Sequence, residues 1–350
     1  MTYKPHYVIV TLSDRYNLEW ERATIAEFGD FDAELRPVSS PGHHPPADQL
    51  ADADALLIST RDHITPELLA RLPKLRVIGS YGVGLDHIDL EAAAAHGVLV
   101  THFPDYCTNE VADHAMSLVL AVNRRIVQLD RDLKAGAWHR RAHMTTDILR
   151  GPVPALREST LGLIGFGRIG RAVARRAAPF GLKILVNDPY IQPEMAEGIE
   201  LVTLADLLVR SDIVSLHTPL TKETRGFIGA EAFAKLKSTA FLVNTARGPL
   251  LDLAEAAKFA AANPQGGLAL DVVDPEPLPE DSPLYKLDNV ILTPHSAYYS
   301  VKSVEILREE TLCAALDVLR GRRPRIVGNP AVLDKLDLEP YSASLGASSV

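Results

Sequence analysis

The sequence predicts an α/β protein built from two parallel-sheet lobes, the larger of them doubly wound. Three observations carry that prediction. Short apolar runs alternate with helix-like stretches through most of the 350 residues, the pattern of strands buried on both faces and joined by crossover helices. The length exceeds the roughly 250–300 residues at which a single core stops growing, so two domains are expected. A glycine-rich turn, GFGRIG, stands between the strand-like run LGLI and an Ala-rich helical stretch, the context of the first strand-to-helix turn of a doubly wound sheet.

In the first hundred residues, Tyr7–Thr11, Ala55–Ser59, Val77–Ser80 and Val98–Thr101 read as buried parallel strands of a small α/β lobe. Val111, Ala115, Leu118, Val119, Val122, Ile126, Leu129 and Leu133 then recur at helical spacing, with Gly136 as a stop. One long helix from about Asn109 is expected. From Leu161 the strand-like runs are Leu161–Ile164, Ile184–Asn187, Ile213–His217, Phe241–Asn244, Leu268–Asp271 and Val290–Leu292. Six strands alternating with helices describe a Rossmann-type dinucleotide-binding sheet. A last helix carries Val304, Leu307, Leu312, Ala315, Leu316 and Leu319 on one face, with Gly321 after it. No strand follows it, which leaves it free to return to the first lobe. The polar tail Tyr341–Val350 is expected to be loosely held.

Composition narrows the function classes. A net charge of −9 with a pI near 5.7 argues against a nucleic-acid partner, because phosphate binding needs a surplus of Lys and Arg. Cys107 and Cys313 are the only cysteines, too few for a disulfide framework, and a reducing cytoplasm is the expected setting. The N-terminal stretch turns polar too soon for a signal peptide and no run of about 18 apolar residues occurs, so neither export nor a membrane span is expected.

The glycine-rich turn assigns a cofactor. Gly165 makes the tight turn, Gly167 lets the backbone approach a pyrophosphate, and Gly170 allows close helix–strand packing. The helix that opens at Arg168 and Ile169 then offers free N–H groups and a partial positive charge. Asp188 ends the second strand 18 residues after Gly170, close to the distance of about 20 residues at which a carboxylate meets the ribose hydroxyls of NAD. A carboxylate there repels the 2′-phosphate of NADP. A turn residue before Pro189 is the bland reading of Asp188, and the fingerprint before it outweighs that reading.

Three segments after late strands carry the chemistry: Asn244–Gly248 (NTARG), Asp271–Pro277 (DVVDPEP) and Thr293–Ser300 (TPHSAYYS). With the loop Tyr81–Asp89 (YGVGLDHID), these resemble the D-isomer-specific 2-hydroxyacid dehydrogenases. Asp105–Ala115 (DYCTNEVADHA) and the aromatic pair after His295 are similar to the branch that contains the C-terminal-binding-protein corepressors. The resemblance implies that Arg247 binds the substrate carboxylate and carbonyl, that His295 donates the proton, and that Glu276 orients and charges His295. Chemistry asks for the same set. A planar guanidinium can grip a 2-keto acid while polarising its carbonyl, and the alkoxide formed by hydride addition needs a proton from a group such as imidazole.

By the same resemblance, N–H groups around Val83 and Gly84 hold the substrate carboxylate, with Tyr81, Cys107 and Tyr298 lining the substrate pocket. Asp271 holds the nicotinamide carboxamide, and Thr108, His217, Thr218, Pro219, Asn244, Thr245, Ala246 and Ala297 line the cofactor cleft, so that the nicotinamide is expected between the lobes. The resemblance also implies a discontinuous layout: residues 1–108 and 297–350 form a smaller flavodoxin-like substrate domain, and 109–296 form the NAD-binding Rossmann domain. The long helix serves there as crossover and dimer element, which makes a homodimer the expected state. Where relatives often carry Asn, this chain has Cys107, so a polar substrate contact is missing; Tyr298 favours a substrate with some apolar side chain.

Each of these residues has a plainer role available. A lone Arg is usually a solvated charge, a Glu before Pro a loop residue, and a His after Pro a cap or turn; their joint placement after consecutive strands favours the catalytic reading. Asp86 and Asp89 lack the further ligands of a metal site and read as turn and cap residues. His43 and His44 sit in a Pro-rich loop and read as exposed, and the run His139–His143 (HRRAH) reads as a solvated face. No metal is expected. Two other functions share the fold: formate or phosphite oxidation, against which Glu276 argues because the formate branch carries Gln there, and NADH sensing without turnover, as the corepressor likeness allows.

Overall fold

The computed structural model describes residues 4–12, 17–28, 31–140, 152–192 and 199–341. The chain divides into two compact units, Met1–Tyr106 with Val301–Val350 and Cys107–Ser300. In the first, strands β1 (His6–Thr11), β2 (Asp32–Pro37), β3 (Ala55–Ser59), β4 (Val77–Tyr81) and β5 (Leu99–Thr101) form an all-parallel sheet in the order β2-β1-β3-β4-β5, the flavodoxin-like order. Leu56, Leu57, Ile58, Val77 and Ile78 are fully buried, because helices cover both faces, and this two-sided burial is what makes the strands read as unbroken apolar runs.

β2 was not expected. Its sequence DAELRP mixes charge with one buried leucine, Leu35, and as an edge strand pairing only with β1 it needs no apolar run. The helix Val301–Leu319 belongs to this unit and packs on β4, β3 and β5, burying Leu307, Leu312, Leu316 and Leu319. Arg308 on that helix grips the fully buried Glu21 through two hydrogen bonds of 2.7 Å, tying the helix Glu19–Glu27 to it.

The second unit carries β6 (Thr160–Ile164), β7 (Lys183–Asn187), β8 (Glu200–Leu201), β9 (Ile213–Leu216), β10 (Phe241–Asn244), β11 (Gly267–Leu270) and β12 (Val290–Leu292). All are parallel, in the order β12-β11-β10-β9-β6-β7-β8, which is a doubly wound sheet with its topological switch at β6 and β9. Seven strands replace the six expected. The addition is β8, two residues long at the sheet edge, with no apolar run to betray it. Its Glu200 is clasped by Arg210 at 2.7 Å and Lys183 at 3.2 Å, and these partners, Arg210 foremost, hold its carboxyl down to about 2. Side chains alternate between two cores: Leu161, Leu163 and Val243 enter one, Ile164 and Leu242 the other.

The single long helix expected from Asn109 is two helices, Thr108–Asn123 and Ile126–Lys134. Arg125 breaks it with a left-handed φ of 57°. Its guanidinium leaves the helix for the sheet, donating to the Gln265 carbonyl at 2.5 Å and lying 5.0 Å from the Phe241 ring centre; burial pushes its pKa below the ordinary arginine value. Apolar spacing continues through the break, so nothing in the periodicity marks it. The apolar face of the first helix, including Ala112, Ala115, Leu118 and Val122, is buried in this unit's own core.

Among the described residues no helix is long and apolar enough to cross a membrane, and no group of three or more His, Cys, Asp or Glu is placed to hold a metal ion. Asp89 caps the helix Leu90–Ala95 by accepting from the Ala92 N–H at 2.8 Å. His139 and Arg140 end the short helix Ala137–Arg140; the rest of the HRRAH run, and the tail after Tyr341, lie outside the described residues.

Candidate active site

Parallel strands deliver their carboxyl ends to one edge of the sheet, and ligands of such sheets bind there. β6 leads into Gly165, whose φ of +93° an L side chain rarely adopts, and a Cβ on it would stand 2.6 Å from the His217 carbonyl carbon and oxygen. A Cβ on Gly170 would stand 2.3 Å from the Gly165 oxygen. Both glycines are therefore required by the protein's own packing. Gly167 is different. A Cβ there meets nothing within 4 Å, so its bareness serves a surface open to something else, at the N-terminus of the helix Arg168–Ala177. Arg168 is the first residue of that helix, while the Ile169 side chain packs against the core and leaves only its backbone to offer.

Asp188 follows β7 and faces this turn. One carboxylate oxygen accepts the Phe166 N–H at 2.7 Å and the other the Tyr190 N–H at 2.9 Å. The residue thus braces the glycine turn, and a carboxylate with about four acceptor sites still has capacity for hydroxyl donors. After β9 comes His217, whose Nε2 lies 2.9 Å from the Ser215 hydroxyl. Burial pushes its pKa down to about 4, so the ring is neutral at ordinary pH. Pro219, two residues on, is exposed.

His217 Nδ1, Thr108 Oγ1 and Thr245 Oγ1 are buried without a hydrogen-bond partner among the described residues. An unsatisfied buried polar group costs about 1–3 kcal/mol, and a polar ligand is one way such groups are completed. Two of the three directly follow β9 and β10, and the third opens the helix Thr108–Asn123. With the bare Gly167 and the free end of the next helix, they form a donor and acceptor set suited to a dinucleotide.

Arg247, Glu276 and His295 follow β10, β11 and β12, three neighbouring strands of this sheet. Asn244, fully buried, makes the first turn: its Oδ1 accepts the Ala246 N–H at 3.0 Å and its Nδ2 donates to the Arg247 carbonyl at 2.8 Å. Arg247 Nη1 donates to the Ala246 carbonyl at 2.8 Å. A Cβ on Gly248 would stand 2.1 Å from the Val273 oxygen, so the Arg247 turn presses against the loop that leads to Glu276.

His295 Nδ1 lies 3.1 Å from each Glu276 oxygen, with both side chains one quarter exposed. A carboxylate only accepts, so Nδ1 carries the proton and Nε2 is left for other chemistry. His295 itself has a left-handed φ of 54°, a strained setting for a non-glycine residue. Asp271 maintains it. Its carbonyl accepts the His295 N–H at 2.8 Å, and its carboxylate, with no exposed surface, accepts from the Thr293 hydroxyl at 2.6 Å and the N–H groups of Ser296 and Ala297 at 2.9 and 3.0 Å. Asp271, expected to hold a carboxamide, is first of all the anchor of the histidine loop. His114 Nε2 reaches the Thr293 hydroxyl at 3.0 Å. The Tyr298 ring stands edge-on to His295 with centres 6.4 Å apart, and buried Cys107 occupies the N-cap position of the helix Thr108–Asn123.

Thr218, next to His217, is half-buried; the remaining candidates belong to the other unit. Tyr81 ends β4 and is buried; Val83 and Gly84 follow in a half-buried loop. Neither of their N–H groups has an acceptor among the described residues. The clamping role of Asn244 carries one sequence signal, an Asn at a strand end before a turn. Thr293, Ser296 and His114 carry no such signal, because their polar roles appear only once the loop closes on Asp271.

A family model described as "D-isomer specific 2-hydroxyacid dehydrogenase, NAD binding domain" matches residues 116–297. A glyoxylate reductase of Thermofilum pendens is 41% identical over 293 residues, covering 83% of this chain and 85% of that protein. A D-3-phosphoglycerate dehydrogenase of Mycobacterium leprae is 40% identical over 276 residues, 78% of this chain but only 50% of its own length. Among solved structures, a D-lactate dehydrogenase from Aquifex aeolicus, complexed with NAD and lactic acid, superposes with a TM-score of 0.79 at 29% identity, covering 94% of this chain and 98% of that one.

Proposed function

Since the chain belongs to the D-isomer-specific 2-hydroxyacid dehydrogenase family, we propose that it reduces a small 2-keto acid to the D-2-hydroxy acid with His295 as proton donor, Glu276 as its partner and Arg247 as the substrate-binding cation. NAD is the cofactor. The observation that carries the proposal is the Glu276–His295 contact, 3.1 Å from Nδ1 to either oxygen, which leaves Nε2 to face a reacting oxygen.

Bound NADH supplies the hydride. Everything else falls to the protein. The N–H groups at the start of the helix Arg168–Ala177 and the bare face of Gly167 take the pyrophosphate, Asp188 takes the ribose hydroxyls, and Thr108, His217 and Thr245 complete their hydrogen bonding on the same ligand. Arg247 pairs with the carboxylate and draws charge toward the carbonyl oxygen, so that the C2 carbon becomes the better hydride acceptor. The N–H groups of Val83 and Gly84 are the proposed donors to the substrate carboxylate. As C2 gains the hydride, the C2=O π bond opens to an alkoxide, which takes the Nε2 proton of His295; Glu276 stabilises the imidazolium beforehand, and Asp271 keeps the ring in place through the loop. In the reverse reaction neutral His295 takes that proton back.

The relatives named for glyoxylate, lactate and phosphoglycerate support a substrate of a few carbons. Cys107 in place of the frequent Asn, and Tyr298 edge-on to His295, support an apolar rather than a hydroxylated side chain. A homodimer fits the exposed Ile126, Val127 and Trp138 on the segment after the helix break, since exposed apolar residues grouped on one segment mark an interaction surface. A panel of 2-keto acids assayed at saturating NADH, with chiral chromatography of the products, tests the proposal. Steady NADH oxidation yielding a D product supports it; tight NADH binding with no turnover across the panel, or an L product, overturns it.

A further inference from the structure

The loop that offers the Val83 and Gly84 N–H groups is held in a particular way. β4 and β5 are parallel neighbours, so the segments after them, Gly82–Gly84 and His102–Phe103, leave the same sheet edge. Two hydrogen bonds join these segments. The Phe103 N–H donates to the Gly82 carbonyl at 3.3 Å, and His102 Nδ1 lies 2.6 Å from the Val83 carbonyl. A carbonyl oxygen can only accept, so Nδ1 carries the proton.

The peptide bonds here are trans, and in a trans peptide plane the C=O and the N–H of the next residue point in opposite directions. Pinning the Gly82 carbonyl therefore aims the Val83 N–H away from the 102–103 segment, and pinning the Val83 carbonyl does the same for the Gly84 N–H. These are the two N–H groups that have no acceptor among the described residues. One plane is set by backbone. The other is set by a side chain, and without it that peptide is free to rotate and satisfy its N–H elsewhere.

We propose that His102 is a positioning residue for substrate binding: its Nδ1–H fixes the Val83–Gly84 peptide so that the Gly84 N–H meets the carboxylate of the 2-keto acid. The proposal rests on the reading that Val83 and Gly84 hold that carboxylate. The carboxylate does not change during hydride transfer, so its grip is equally strong in the ground and transition states. Weakening such a contact raises KM and leaves kcat nearly alone.

The test compares His102→Leu, His102→Asn and Gly84→Pro in the full chain. Measured are kcat and KM for glyoxylate at saturating NADH, the Ki of oxamate, a carboxylate that cannot be reduced, and the Kd of NADH by fluorescence. His102→Leu is expected to raise KM and Ki about tenfold, the effect of weakening one hydrogen bond to a charged group, with kcat within about twofold and NADH affinity unchanged. His102→Asn keeps a side-chain donor and should recover most of the loss. If His102→Leu leaves KM and Ki unchanged while Gly84→Pro, which lacks the N–H, raises them, the role of His102 is wrong and the carboxylate grip stands. If both variants are silent, the grip itself is wrong and this inference goes with it. Loss of NADH binding in His102→Leu would make the residue a general structural one and also overturn the proposal.

Discussion

Gly167→Ala should weaken NADH binding while leaving the fold as stable as before or slightly more so. A Cβ there meets no protein atom within 4 Å, and the backbone at φ −70° and ψ −156° is open to alanine. Replacing glycine at such a position stabilises by about 0.4–1 kcal/mol, because the unfolded chain loses freedom. The same change at Gly165 would need a φ of +93° and a contact of 2.6 Å with the His217 carbonyl, a strain of about 1–2 kcal/mol before any clash is counted. At Gly170 the new carbon would stand 2.3 Å from the Gly165 oxygen. Thermal melts should therefore rank Gly167→Ala at or above the wild type and the other two below it. Binding should rank differently. In the proposed binding mode a methyl on Gly167 would stand where the pyrophosphate approaches the helix N-terminus, and losing one hydrogen bond to a charged group is worth about 1.5–3 kcal/mol, about ten- to a hundredfold in Kd. Fluorescence titration of NADH and a melt on the same preparation decide the matter. A Kd within about twofold of wild type, or a melting temperature as low as that of Gly170→Ala, would refute the assignment of this turn.

Acid should destabilise the protein through His217. The unfolded ring takes a proton near its ordinary 6.5, whereas the folded ring resists until about 4, so the unfolded state binds more protons in that window and stability falls as pH drops through it. By pH 5 the loss amounts to up to about 2 kcal/mol. Urea denaturation at pH 7.5 and 5 should show this extra loss in wild type and not in His217→Gln; equal losses in the two proteins would contradict it. Asp188→Ala should raise the NADPH-to-NADH ratio of kcat/KM by about tenfold or more, the worth of hydrogen bonds to a charged group, while loosening the turn it braces through Phe166. An unchanged ratio would count against Asp188 as the cofactor discriminator. Glu276→Gln keeps the shape beside His295 but removes the charge, and should lower kcat for keto-acid reduction at neutral pH by about tenfold with NADH affinity intact; a wild-type kcat would remove Glu276 from the mechanism.

How legible each part was follows from how it is buried. Strands such as Ala55–Ser59 and Phe241–Asn244, covered on both faces, announce themselves as apolar runs. β2 and β8 at sheet edges do not, because one side of an edge strand needs only charge and solvent. The break at Arg125 was invisible for a different reason: the apolar spacing from Val122 to Ile126 is what an unbroken helix would show, and the turn is made by an arginine whose partner, the Gln265 carbonyl, is remote in sequence. At the site, the ordered motifs after β10, β11 and β12 pointed to Arg247, Glu276 and His295, and the structure brings His295 against Glu276. The supporting set was not readable. Asp271 could be noticed as a strand-end carboxylate, but its capture of Thr293, Ser296 and Ala297 depends on the path of the loop, and the role of His102 depends on a carbonyl orientation that no residue type encodes.

The central claim is that His295 delivers the proton that completes hydride transfer to a 2-keto acid. The most direct measurement is kcat for glyoxylate reduction by His295→Ala at saturating NADH, with the NADH Kd taken on the same protein. Removing a general acid from such a reaction slows it by about a hundred- to ten-thousandfold, and the account predicts a loss in that range with NADH affinity unchanged. A His295→Ala enzyme that turns over glyoxylate at close to the wild-type kcat would contradict it.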